Sequence, residues 1–485
     1  MGDETKRNSL EHLKTLFGLP VVQISAGFNH SICLSVSGSI YCFGDNRLVY
    51  FLFYIFIFFI FFIFFRMGQC GARSINLPNQ QKLQNPPKIL FPFFIVEFLS
   101  MGAKRVLAHG DQSFVLTIRE ELFGFGYGGN GLIFPEKEKE IRVPKKIVVT
   151  QKKHFVKHFS VSTDHILCVI EEESERENQE KGENLFVSKL YCWGHSSLIG
   201  EKNNNYSSIP FQINLLTLEP NQHYDRVFCA KLDKFSFNFI CKRTGKIEKN
   251  TFDFFDFPLP IITNEMIDKL EFIYEGNLKN FKNFLQFVFT HPSLLNASFL
   301  GNDHYTSYKK SSGISMQLVR KFFISLMGSK HSNEFREILF SSSCDLINKL
   351  SSNRLCHCHE SMRVFQILLE SPVFVNPEYR KLKPLDQILF VIFELPNSLR
   401  NMLLEYIGNY DSTFFIVPLH IFQKTLSFVI PKLSSNPQLE EGIYHRSIFF
   451  LNNLNQVNFV HKIVPYQQFI NPAISRSVKK KKKIF

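Results

Sequence analysis

Apolar and polar positions follow two different periods along this chain, and the change falls near residue 260. Residues 20–260 carry short apolar runs, alternation of apolar with polar positions, and Gly-containing turns. That is the pattern of β-strands with one buried face. From residue 262 the apolar positions recur at helical spacing. Segments such as NEMIDKLEFIYEGNLKNFKNFLQFVFTHPSLL, SMQLVRKFFISLM, SNEFREILFSSSCDLINKL, HESMRVFQILLES, SLRNMLLEYIGNY and PLHIFQKTLSFVIPKL show it, punctuated by Pro and Gly. The predicted class is multidomain β + α. A β-rich part spans residues 20–260 and an α-helical linker domain spans residues 262–474, with an N-terminal segment at 1–19 and a basic tail at 475–485.

An internal repeat organises the β-rich part. Its copies are ISAGFNHSICLSVSGSIYCFG (24–44), LAHGDQSFVLTIREELFGFG (107–126), and FSVSTDHILCVI (159–170) continued by KLYCWG (189–194). A weaker fourth is VFCAKLDKFSFNFICKRTGKI (227–247). His30 precedes Phe43-Gly44 by thirteen residues, and Gln112 precedes Phe125-Gly126 by the same thirteen. His165 precedes Trp193-Gly194 by twenty-eight, the excess being taken up by the acidic stretch at 171–184, which reads as a solvated loop.

One run breaks both periods. Residues 48–66, LVYFLFYIFIFFIFFIFFR, hold no charge before Arg66 and could just cross a hydrocarbon core of about 30 Å. Aromatic and β-branched residues alternate here, however, and no second span closes a topology. The flanks matter more. YCFGDNR precedes the run and MGQCG follows it, and removing residues 48–66 joins them into one tight-turn sequence. Residues 50–65 use only Tyr, Phe, Leu and Ile, all with codons built from A and T, and an Arg stands at each boundary. A retained, translated intron is the expected explanation; a true membrane helix and a hydrophobic loop are the alternatives. If translated, its apolar surface is an aggregation hazard.

The joined turn and the repeats resemble the RCC1 repeat family, whose copies form the blades of a β-propeller. The resemblance rests on Gly27 and His30, on the aromatic-Gly pairs Phe43-Gly44, Phe125-Gly126 and Trp193-Gly194, on His165, and on Gly68, Gln69 and Gly71. It implies a structural blade role for these residues. His109 and Ser162 depart from it, standing where the family has Gly, and Gly200 lacks a preceding Gln. About four blades can be counted, so a partial propeller is expected.

The helical half resembles the segment that follows the propeller in the small HERC ubiquitin ligases. THPSLLNASFL (290–300), LLESPVF (368–374) and LPNSLRNMLLEYI (395–407) carry the likeness. So does FFLNNLNQVNFVHKIVPYQQFINPAI (449–474), which resembles the approach to the HECT catalytic module. The order matches: propeller, helical linker, then HECT. That module would take ubiquitin onto a reactive Cys near its C-terminus and pass it to a substrate Lys. No residue here matches that Cys, and the tail SRSVKKKKKIF reads as a second intron carried to a stop codon, with a basic nuclear-localisation tail and a simple solvated charge run as the alternatives. The resemblance implies protein partners, with a ubiquitin-conjugating enzyme among them only if the full product has a HECT module. The rival reading is an RCC1-like guanine-nucleotide exchange factor for a small GTPase, and a third is a single-pass membrane protein.

Composition adds bounds. The chain has 485 residues, enough for two or three domains, and an apolar fraction of 45%. Its charge of +13 includes Lys479 to Lys483 and is otherwise diffuse, so nucleic acid is not an expected partner, nor is a membrane. Ten Cys lack disulfide-framework spacing and the N-terminus is polar, so a reducing, cytoplasmic compartment is expected, with the nucleus as alternative. No cofactor, metal or catalytic residue is predicted. Cys356-His357-Cys358-His359 alternates too tightly for structural zinc. The glycine-rich run 124–131 lacks the Lys-Ser/Thr and helix of a phosphate loop. His30 and His165 are expected to form hydrogen bonds within their blades, and Cys33, Cys42, Cys168 and Cys192 to be small core side chains.

Overall fold

The computed structural model describes residues 13, 16–44, 89–94, 101–128, 131–133, 140–162, 165–173, 186–195, 206–213, 222–232, 235–244, 259–305, 311–353, 358–375, 379–432 and 437–470. The hydrophobic run at 48–66, the blade positions Gly68, Gln69 and Gly71, and the lysine tail lie outside the described residues. The chain divides into two units, one built from Val21–Asp256 and the other from His12–Pro20 with Phe257–Phe485.

The first unit is a series of up-and-down antiparallel sheets. Blade one contains β1 (Val21–Ala26), β2 (His30–Ser35), β3 (Ile40–Gly44) and β4 (Ile89–Phe94), in that order. Blade two contains β5 (Ala103–His109), β6 (Gln112–Thr117), β7 (Leu122–Tyr127) and β8 (Glu140–Lys146). Blade three contains β9 (His154–Val161), β10 (His165–Glu173), β11 (Phe186–His195) and β12 (Tyr206–Gln212). A hairpin of β13 (Gln222–Leu232) and β14 (Phe235–Thr244) follows. The second strand of each blade is buried on both faces, so β6 reads SFVL and β10 reads ILCVI without alternation. The first three blades share one core, which includes Ile32, Phe114, Phe125, Phe159, Ile166 and Trp193. Among the described residues the series does not close on itself.

The second unit is helical: α1 (Asn264–Asp268), α2 (Leu270–Gly276), α3 (Leu278–Thr290), α4 (Pro292–Ala297), α5 (Met316–Gly328), α6 (Ser332–Ser352), α7 (Arg363–Glu370), α8 (Pro372–Val375), α9 (Tyr379–Glu394), α10 (Asn397–Gly408), α11 (Ser412–Val429) and α12 (Pro437–His461). Starts follow local chemistry. Thr263, Ser315 and Asp411 cap α1, α5 and α11 with side-chain oxygens, and Pro292 opens α4. One apolar cluster runs from Ile262 to Val464. Phe17 packs against that cluster, and Leu19 is buried. The segment just before β1 therefore belongs to the helical unit. No helix among the described residues is long and apolar enough to cross a membrane.

Candidate interaction surfaces at the blade junctions and in the helical unit

The repeat residues occupy equivalent places in three blades. In the ladder between second and third strands, His30 pairs with Gly44, Gln112 with Gly126, and His165 with Gly194. At each of these glycines the next ladder slips by a bulge, and φ is positive, at 112°, 109° and 122°. A Cβ at Gly44 would stand 2.5 Å from the Asn29 carbonyl oxygen, and at Gly126 it would stand 2.3 Å from that of Asp111. Only glycine fits this corner. The ladder resumes with Gly44 opposite Ile89 and Gly126 opposite Ile141. Residues 48–66 thus fall between two strands that still pair as their counterparts do.

The aromatic partners differ. Phe125 and Trp193 are buried, and Trp193 Nε1 donates to the Leu132 carbonyl of blade two at 2.7 Å. Phe43 is only half-buried. The histidines differ as well. His165 Nδ1 lies 2.6 Å from Ser162 Oγ, within its own blade. His30 Nε2 lies 2.8 Å from Ser113 Oγ, which is on β6 of the next blade. The expected bond within the blade is therefore corrected for His30, because the imidazole at this corner reaches the neighbouring sheet. The departures from the repeat follow the same logic. A Cβ at Gly27 would meet the His30 ring at 2.4 Å, whereas Ser162 uses its hydroxyl to engage His165.

Adjacent blades are joined through their innermost strands. Among the described residues β5 is an edge strand of its sheet, so its free edge offers unpaired backbone groups to the preceding blade. Gln23 Oε1 accepts from Val106 N–H at 3.0 Å and its Nε2 donates to Val106 O at 2.9 Å. Ser25 Oγ accepts from Ala108 N–H at 2.8 Å. The same device returns two blades later, where His158 Nδ1 accepts from Val227 N–H at 3.3 Å and Ser160 Oγ accepts from Cys229 N–H at 3.1 Å. Gln23, Arg105, His158 and Arg226 hold one register position on β1, β5, β9 and β13. Arg105 Nη1 contacts His158 Nε2 and its guanidinium lies 5.2 Å from the Phe159 ring centroid. Burial, then Arg105 and Arg226, push the His158 imidazole down to about 3. Burial and Arg226 lower Arg105 to about 10.

A cleft of about 250 Å³ lies between blades two and three, lined by Arg119, Glu120, Glu121, Lys146, Lys153 and His154. Glu121 pairs with Lys146 at 2.6 Å and Glu120 with Lys157 at 2.7 Å. Lysines engage both carboxylates, so neither stands free as a general base. Glycines 124 and 126 sit within β7, and β8 rather than a helix follows, which is not a phosphate-binding geometry. Cys33, Cys42, Cys168 and Cys192 are buried free thiols; burial pushes Cys33 up to about 11 and raises Cys168 and Cys192 further. A raised thiol pKa opposes nucleophilic or metal-binding use.

In the helical unit, THPSLLNASFL and LLESPVF meet around a buried polar network. Arg363 donates from Nε to Ser312 O at 2.7 Å and from Nη1 to Asn296 O at 2.9 Å. It faces the buried Glu360 carboxylate at 3.6 Å. Asn296 Nδ2 donates to Gly18 O at 2.7 Å, which fastens the segment before β1. Gln366 Nε2 donates to Tyr410 OH, and Arg320 Nε donates to Glu370. Burial raises the Glu370 carboxyl although Arg320 opposes it. Phe299 completes the segment at a left-handed φ of 60° with its ring buried against Phe322. Sequence reasoning singled out these segments but not Arg363, Asn296 or Gln366. The available signal was a charged residue inside the apolar helix RVFQILLE.

Cys358 and His359 are buried, and Cys358 Sγ lies 3.2 Å from Ser361 Oγ. Burial and Arg363 push His359 down to about 3. Cys356 and His357 lie outside the described residues. No group of three metal-type ligands converges among the described residues. At the C-terminal end of α12, Asn458 clamps Val464 through both its backbone groups at 2.9 Å. Phe459, Val460, Tyr466 and Ile470 remain exposed there.

Residues 21–48 match the family model described as the regulator of chromosome condensation (RCC1) repeat. The chain is 21% identical to the human probable E3 ubiquitin-protein ligase HERC3 over 488 residues, covering 97% of this chain and 42% of that protein. It is 23% identical to human HERC4 over 388 residues, covering 76% of this chain and 32% of the relative. The chain thus spans less than half the length of either. Among solved structures, Prp20p from Saccharomyces cerevisiae overlaps 47% of this chain and 45% of its own at 14% identity, with a TM-score of 0.31. Human WBSCR16 overlaps 43% of this chain and 56% of its own at 13% identity and a TM-score of 0.25. These structural overlaps are too low to add to what strand pairing shows. The repeat match falls on blade one, and the similarity to HERC3 and HERC4 runs along most of the chain, in agreement with blade-like antiparallel sheets followed by helices; no HECT module is shown among the described residues.

Proposed function

We propose that the chain is the non-catalytic portion of a HERC-like, HECT-type ubiquitin ligase, acting in protein binding and substrate recruitment for ubiquitination. The observation that supports this most is the similarity to HERC3 along 97% of the chain, in the order blades then helices. Exposed Phe459, Val460, Tyr466 and Ile470 also support it, because they lie in the segment that resembles the approach to a HECT module. Transthiolation needs a low-pKa Cys open to a conjugating enzyme. Cys33, Cys168 and Cys192 are buried with raised thiols, so the recruiting role is assigned to surfaces and not to these residues. Residues 48–66 are read as a translated intron, and the compartment as cytoplasmic.

Sequencing the spliced transcript across codons 47–67 and beyond codon 477 tests the reading. The expected message omits the hydrophobic run and continues into a frame encoding a HECT-like module. That longer product should form a ubiquitin thioester, and the present chain should not. A transcript continuing without such a module sinks the proposal. Accelerated nucleotide release from a small GTPase by the propeller unit would replace it with the exchange-factor reading.

A further inference from the structure

The seam between α9, α10 and α12 exposes an aromatic and cationic stripe. Asp386, Phe390 and Phe393 follow helical spacing on α9, and Arg446, Phe449 and Asn453 follow it on α12. Phe390 and Phe393 are each 44% exposed and Phe449 is 36% exposed. Phe393 and Phe449 meet edge to face at 5.2 Å. At one end Arg446 forks onto Asp386 with two bonds of 2.7 Å, and its guanidinium faces the Phe390 ring at 5.7 Å. That charge is neutralised. At the other end the Arg400 guanidinium lies 5.7 Å from the Phe393 centroid and 5.5 Å from that of Phe449. It donates to Phe393 O at 2.7 Å and to Asn397 Oδ1. Both acceptors are neutral, so neither offsets the charge of the guanidinium.

We propose that this seam docks a protein segment in which acidic residues flank one or two large apolar side chains, with a carboxylate on Arg400 and the apolar groups on Phe390, Phe393 and Phe449. Hydrogen bonds and two rings hold the guanidinium in place, so little side-chain freedom is lost when a carboxylate arrives. Desolvating exposed benzyl rings supplies the apolar part of the attraction. The pairing at Arg446 makes the stripe polar along its length and gives a bound segment a direction. Nucleic acid fits less well, because it needs a row of unpaired cations to follow a phosphate backbone and this seam has one. Binding here is independent of any ubiquitin transfer by a longer product.

The test uses the full chain and fluorescence anisotropy. One probe is a labelled peptide with Leu-Phe flanked by glutamates; the controls are its lysine-flanked counterpart and a labelled single-stranded oligonucleotide. Saturable binding of the acidic peptide alone is expected, weakening with added salt. Arg400→Glu and Phe393→Ser should each weaken it by about tenfold or more, while Arg400→Lys, which keeps the charge but not the forked and stacked geometry, weakens it less than Arg400→Glu does. Both positions are on the surface, so hydrogen exchange of α9 and α12 should not change. Absence of binding, equal binding by Arg400→Glu, or tighter binding of the oligonucleotide overturns the proposal. Self-association of the chain that Arg400→Glu abolishes also overturns it, because a second copy would then occupy the seam.

Discussion

The two units bury polar groups in opposite ways. The propeller unit spreads them over repeated junctions, where one side chain at a time caps an inner strand edge: Gln23 and Ser25 on β5, then His158 and Ser160 on β13. The helical unit concentrates them around Arg363, whose partners Asn296, Ser312 and Glu360 come from three separate segments. A repeat tolerates changes at one junction because the next is built independently. A single buried charge with several partners tolerates none.

That difference can be broken most severely at Arg363. Arg363→Met strands the Glu360 carboxylate and the carbonyls of Asn296 and Ser312. It should cost the helical unit about 3–5 kcal/mol. Hydrogen exchange should rise across α4 and α7 while β5–β12 stay protected. Next in size is Gly126→Ala, which forces a Cβ against the Asp111 carbonyl at a positive φ. A cost of roughly 1–3 kcal/mol is expected, confined to blade two. Equal loss of protection in both units after either change would contradict the comparison.

Acid should weaken both units through their neutral histidines. His158 and His359 are pushed down to about 3 when folded, against 6.5 when unfolded. The unfolded chain therefore binds more protons, and stability present above pH 6.5 is lost as pH falls toward 3. His158→Gln should flatten that dependence in the propeller strands only, and His359→Gln in the helices only, as read by urea unfolding across this range. The smallest effect is expected at Ser25→Ala. One cap on Ala108 is lost for about 1 kcal/mol, with Gln23 still holding the junction.

Much of this division was legible in the residue pattern. Alternation and Gly-containing turns marked the strands, and a 3.6-residue period marked the helices. The thirteen-residue spacing from His30 to Phe43 and from Gln112 to Phe125 marked the blade corner. Less legible was the partner of each polar residue. His30 bonds across to Ser113, and Asn296 bonds back to Gly18. Nor did the pattern signal that Phe299 would take a left-handed backbone, since burial of its ring against Phe322 offsets that cost.

The sequence by itself determined where each period begins, which glycines must turn a blade corner, and which run interrupts one. These depend on neighbours a few residues apart, and periodicity records them. Only the tertiary structure decided that Gln23 caps Val106, that Arg105 lies against His158, and that Phe449 joins Phe393 in framing Arg400. Those contacts join residues far apart in the chain. Packing and desolvation select them only after distant strands and helices have come together.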